Sequence, residues 1–129
     1  MAWNPERLTI QAREAVIAAG ELADAKQHPE INSLHLLGSL TSGEASICSR
    51  LLGNMGLNVS QFRKILSAEL SQMPQVSGGN QPRPSRELQD VLAQADSRAE
   101  QRNDEFVASE TLLLGLAAPG TKSERVLAL

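Results

Sequence analysis

The 129 residues amount to one domain, long enough to bury a core; 41% are hydrophobic at a mean hydropathy of -0.22, and no apolar run approaches the roughly 20 residues of a membrane span. A net charge of -3 with scattered basic residues offers no footprint for a phosphate backbone, and 2% aromatic residues with no tyrosine provide few stacking platforms, so nucleic acid and membrane are excluded as expected partners. Cys48 is the only cysteine, which rules out an internal disulfide, and polar residues from Met1 to Ile10 stand where an export signal would be apolar, so a cytoplasmic setting is expected.

Along the chain, Leu8, Ala12, Ala15, Val16, Ala19, Leu22 and Ala23 recur at steps of three and four, the face of a helix that Thr9 can cap. After a loop around His28 and Pro29, Ser33 is expected to cap a short helix carrying Leu36, Leu37 and Leu40. Ile47, Leu51, Leu52 and Met55 predict a third helix stopped by Gly56, and Ser60 is expected to open a fourth with Phe62, Ile65, Leu66 and Leu70. The stretch from Pro74 to Pro84, with three prolines and two glycines, reads as a linker. Helix resumes at Ser85 with Leu88, Val91, Leu92, Ala95 and Ala99 on one face; Ser109 is expected to cap Leu112, Leu113 and Leu116, and Val126 and Leu127 fall in a last short helix after Pro119 and Gly120.

Thr9–Leu40 slides onto Ser85–Leu116 without a gap at an offset of 85 - 9 = 76 residues. Ala19 meets Ala95, Ala23 meets Ala99, Ser33 meets Ser109, and Leu36, Leu37 and Leu40 meet Leu112, Leu113 and Leu116. The caps Thr9 and Ser85 coincide too, as do the apolar pairs Val16 with Leu92 and Ile31 with Val107. A helix pair with one apolar stripe per helix cannot close a core alone, whereas two facing copies can. The expected fold is therefore all-α, one bundle of about seven to eight helices with pseudo-twofold symmetry, with a first copy over about 9–73, a linker over about 74–84 and a second copy over about 85–129.

Catalytic and metal chemistry find no support in these residues. His28 and His35 are two imidazoles without a ligand cluster at metal spacing, Cys48 sits in an apolar stretch, and no nucleophile motif such as G-x-S-x-G occurs. Gly115 and Gly120 have the glycine spacing of a Walker A loop, but Thr121 intervenes before Lys122, where the lysine must follow the turn directly. The expectation is a non-enzymatic binding module without cofactors.

Two segments carry a family resemblance. Met73–Gly79, MPQVSGG, resembles the Leu-Pro-x-Val-x-Gly stretch between the repeats of Clp N-terminal domains, and Asp104–Leu116, DEFVASETLLLGL, resembles their Asp-x-Phe/Tyr-hydrophobic-x-x-Glu-x-Leu motif. The chain is thus similar to the N-terminal domain of AAA+ unfoldases, and the first segment points to the ClpB-type disaggregase branch. That resemblance implies capture of unfolded or aggregated clients through an apolar groove, in front of a hexameric ATPase whose modules would hold ATP and magnesium; the isolated domain would be monomeric. It associates Thr9, Asp104 and Glu110 with client handling, although each also suits a helix cap or turn. The groove is expected where the first helices of the two copies meet, near Thr9, Leu88, Leu92 and Glu110. Relatives of the ClpC type read phosphorylated arginine with a threonine and a glutamate from each repeat; here Leu34 replaces one acid, and Thr111 departs from the histidine or apolar residue common in relatives. Alternatives are the docking of adaptor proteins, as in ClpA and ClpC relatives, and a passive spacer that regulates access to an ATPase ring.

Overall fold

A computed structural model describes residues 5–42, 46–76, 81–118 and 120–127. After a 3-10 turn at Pro5–Arg7, α1 runs Ile10–Ala25, α2 Ser33–Leu40, α3 Ile47–Asn54 and α4 Val59–Ser71. Helix α5 spans Arg86–Gln101, α6 Ser109–Leu116 and α7 Lys122–Leu127, and two short strands, β1 at Glu30–Ile31 and β2 at Arg83–Pro84, pair in parallel. The fold is the expected helical bundle, and α1 and α2 shifted by 76 residues fall on the bounds of α5 and α6: 10 + 76 = 86, 25 + 76 = 101, 33 + 76 = 109 and 40 + 76 = 116.

The duplication extends to the backbone outside the helices. Leu8 bridges Val107 while Ile31 pairs with Pro84, so the segment before the first helix of each copy pairs with the segment before the second helix of the other. Thr9 N–H donates to the Val107 carbonyl at 2.9 Å, and Ser85 N–H donates to that of Ile31 at 2.8 Å. The turns after α1 and α5 each hold a residue at positive φ, Gln27 at 58° and Asn103 at 60°, again 76 apart. Asn103 suits this left-handed turn, since asparagine tolerates it better than most residues.

The caps required some correction. Thr9 and Ser85 cap α1 and α5, but Asn32 rather than Ser33 caps α2, Asn58 rather than Ser60 caps α4, and α6 follows Ala108, which has no side chain able to cap. Ser33 and Ser109 are instead the first helical residues. An asparagine one or two residues earlier offers its side-chain oxygen to the free amides of the first turn, so a serine nearby is no reliable marker. Gly56, at φ 94°, ends the turn after α3 as expected. The stretch read as a linker is partly tied down: Val76 N–H donates to the Gln27 carbonyl at 2.8 Å and Arg83–Pro84 form β2; residues 77–80 lie outside the described residues.

The core is continuous through both copies. Leu36 and Leu37 of α2, and Leu112 and Leu116 of α6, are fully buried; the copies pack on each other through these second helices, with α3 resting on α6 and α7 on α2. Helix α1 turns Ala12, Ala15, Ala19 and Ala23 inward, whereas α5 buries Leu88, Val91, Leu92, Ala95 and Ala99. The two copies therefore share a backbone plan but not a side-chain volume.

Candidate functional site

That difference in volume opens a cavity of about 600 Å³ in the first copy, between α1, the C-terminal half of α2 and the start of α3, reaching Ser109 at the start of α6. Its walls include Ala15, Ala18, Leu22, Leu40 and Ile47, with Gln11, Glu14, Ser39 and Cys48 adding polar atoms. In the second copy, Val91 stands where Ala15 does and Gly115 where Ser39 does, and the two are in close contact: a Cβ on Gly115 would lie 3.2 Å from Val91 Cγ1. The bulk that closes one copy is missing from the other. Around the cavity, Ser39 Oγ donates to the Ala15 carbonyl at 2.7 Å, tying α2 to α1. Burial, with a smaller contribution from the charge of Glu110, raises the Cys48 thiol to about 11, so it stays protonated and inert.

The residues expected at a groove differ in burial: some are in the core and some at the surface. Leu88 and Leu92 are each 2% exposed and belong to the core, which corrects their expected place on an open face: the apolar stripe of α5 is used up in packing α5 against α6. Thr9 is half-buried, its Oγ accepting from Ala12 N–H at 3.1 Å. Asp104 is exposed at the turn after α5, where its N–H donates to the Ala99 carbonyl at 2.8 Å and its carbonyl accepts from Arg7 at 3.5 Å. Glu110 is exposed in the first turn of α6, close enough to Cys48 at the cavity wall to be felt by its thiol. None of these five is among the residues that line the cavity. Leu34 and Thr111, the departures from the phosphoarginine pattern, are both buried.

Sequence reading passed over Gln11, Ala18, Leu22, Ser39 and Ile47. The usable signal was the mismatch between the copies, Ala15 against Val91, rather than their agreement.

His28 and His35 face each other in the interior, Nδ1 to Nε2 at 2.8 Å. Asn32 N–H donates to His35 Nδ1 at 3.0 Å, so His35 carries its proton on Nε2 and donates it to His28, which in turn bonds the backbone of Leu70. Burial first, then the charges of His28, Lys122 and Lys26, lower His35 to about 4; burial and Lys26 lower His28. The pair joins α2, α4 and the turn after α1. No group of three or more potential metal-ligating side chains occurs among the described residues.

Residues 7–128 match the model of the Clp repeat (R) N-terminal domain. The chain belongs to that family. It is 34% identical over its full length to the chaperone protein ClpB of Rhodopirellula baltica, of which it spans 15%. Among solved structures, the Hsp104 N-terminal domain of Candida albicans superposes with a TM-score of 0.80 at 22% identity, covering 92% of this chain and 76% of that one. A complex of the ClpV N-domain with a VipB peptide gives 0.76 at 22% identity, covering 96% and 89%. These likenesses place the chain as a Clp N-terminal domain related to those of ClpB chaperones. No described helix of this Clp N-terminal domain is long and apolar enough to cross a membrane.

Proposed function

We propose that this Clp N-terminal domain is the non-catalytic client-recognition domain of a ClpB-type disaggregase, and that it holds apolar segments of unfolded or aggregated proteins in the cavity between α1, α2 and α3. The observation that carries the reading is the cavity itself: apolar walls of Ala15, Ala18, Leu22, Leu40 and Ile47 with a few hydroxyls at one end, in the copy whose helix faces are too small to close. Exposed Ile47, Leu51 and Met55 continue the apolar surface along α3. Glu110, in the first turn of α6, acts on the cavity wall only through its charge near Cys48, while Thr9 and Asp104 act through the backbone that holds α1 and α6 in place.

Affinity is modest in this scheme. Burying about 400 Å² of apolar surface yields roughly 10 kcal/mol gross, and association and ordering remove about half, leaving a Kd on the order of 100 micromolar. A domain that must pass its client to an ATPase ring benefits from such a value, and six copies on a ring restore strength by avidity. ATP and magnesium belong to that ring, not to these residues.

Titrating the 15N-labelled domain with reduced, carboxymethylated lactalbumin tests the assignment. Shifts concentrated at Ala15, Ala18, Leu22, Ser39 and Ile47 are expected; their absence at millimolar client would sink it. Ala18 is exposed on the wall, so Ala18→Glu is expected to weaken client binding about tenfold with stability changed by less than about 0.5 kcal/mol. Adaptor docking is the second reading, favoured by the VipB peptide held by a ClpV N-domain. One stoichiometric partner recovered from lysate, in place of many, would decide for it.

A further inference from the structure

Charge is distributed unevenly around the cavity. Glu14 of α1 is on its wall, on the same helix face as Gln11 one turn before it and as Ala18 and Leu22 at steps of four after it. Glu110, in the first turn of α6, is close enough for its charge to act on the thiol of Cys48, another wall residue. Neither acid has an ion-pair partner among the described residues, where the ion pairs are those of Arg7 with Asp96 and Glu100.

Among the described residues, no lysine, arginine or histidine lines the cavity. Arg13, the neighbour of Glu14, donates from Nη2 to the Pro5 carbonyl at 3.3 Å. Arg63 donates to the Thr41 carbonyl at 2.6 Å and to Ser49 Oγ at 3.3 Å, so both guanidinium groups are engaged elsewhere. Arg50 of α3 is exposed and is not on the wall. Ser42 and Ser46 are wall residues, and the three residues between them, Gly43, Glu44 and Ala45, lie outside the described residues; by their identity they bring an acid and no base.

An acid on an otherwise apolar wall discriminates between ligands. A segment lying against Ala18 and Leu22 covers the Glu14 carboxylate and strips water from it, which costs free energy unless the segment brings a donor of opposite charge. An acidic segment adds like-charge repulsion to that cost. We infer that the cavity selects apolar client segments carrying a lysine or arginine beside their aliphatic residues, with Glu14 as the residue that determines this preference and Glu110 adding to it from farther away. The proposal rests on client binding at this cavity and names the class of segment bound there. Aliphatic side chains suit the space because the second copy closes its own counterpart with one, Val91 against Gly115. Glu14 is exposed, so its pair with a client cation stays open to water on one side; the preference is a few-fold and is screened by salt.

Three peptides titrated into the 15N-labelled domain test it: N-acetyl-Ala-Leu-Leu-Ala-Lys-Ala amide and the same peptide with glutamine or glutamate in place of the lysine. The lysine peptide is expected to bind about threefold tighter than the glutamine peptide and the glutamate peptide more weakly than either, with shifts at the Glu14 and Ala18 amides; the order is expected to collapse in about 0.5 M sodium chloride. Glu14→Gln is expected to equalise the lysine and glutamine peptides, and Glu14→Lys to reverse the order of the lysine and glutamate peptides. Because Glu14 is exposed, both variants are expected to keep the wild-type thermal midpoint within a few degrees. Equal binding of all three peptides at the cavity overturns the inference, as does a Glu14→Gln variant that keeps the full lysine preference; client binding there survives either result. Absence of shifts at Ala15, Ala18 and Ile47 with every peptide and with the unfolded protein overturns both readings together.

Discussion

Thr9 and Ser85 do the same work in the two copies, each hydroxyl accepting from the amide three residues on at 3.1 Å, and each residue's own N–H donating to the opposite copy. Ser85→Ala is expected to cost about 1 kcal/mol in urea unfolding, the usual worth of an N-cap, and Thr9→Ala about the same. The capping duty of Thr9 follows from its place before a helical repeat, whereas the bond its N–H makes to Val107 in the other copy could not be read from the sequence. The histidine pair was legible only as two residues without a metal cluster; the structure adds that both are neutral. Because His35 is lowered to about 4 when folded against 6.5 when unfolded, the unfolded chain binds more protons between these values. Stability is then complete above about pH 6.5 and declines as pH falls toward 4, by up to about 1.4 kcal/mol per pH unit for each extra proton the unfolded chain takes up. Urea midpoints measured from pH 7.5 down to 5, before the carboxylates titrate, are expected to fall; a flat profile would contradict the buried neutral pair.

At the scale of elements, periodicity located the seven helices of the described residues because each buries one stripe, but three of the caps and the short strands were missed. The β1–β2 pairing and the Leu8–Val107 bridge involve only one or two residues each, too few for an alternating pattern, and exist because the opposite copy brings a partner strand. Two glycines show how packing decides what a helix tolerates. Gly115 of α6 lies against Val91, and an added Cβ would meet Cγ1 at 3.2 Å and the backbone oxygen at 3.4 Å, so Gly115→Ala is expected to destabilise by about 1 to 2 kcal/mol. A Cβ on Gly53 of α3 would, among the described residues, meet only Val59 Cγ2 at 3.8 Å. There the alanine gains helix propensity without a clash, and Gly53→Ala is expected to stabilise by up to about 1 kcal/mol. Thermal unfolding of both variants checks the opposite signs.

For the whole molecule, the relevant fact is that α2 and α6 form one core between them. Leu36 and Leu112, equivalent residues at full burial, are each expected to cost about 3 kcal/mol on mutation to alanine. Each variant should still unfold in a single transition; two separate transitions would mean that the copies are independent units. The sequence by itself determined the helices, the 76-residue duplication and the family, because stripes and motifs are local patterns that repeat in register. Only the tertiary structure decided where the cavity lies. Leu88 and Leu92 were expected where the first helices of the two copies meet, yet packing of α5 on α6 buries them, while Ala15, smaller than its counterpart Val91, leaves the first copy open. An apolar residue in a periodic stripe reads the same whether another helix covers it or not, and that covering is a matter of side-chain volume across the fold.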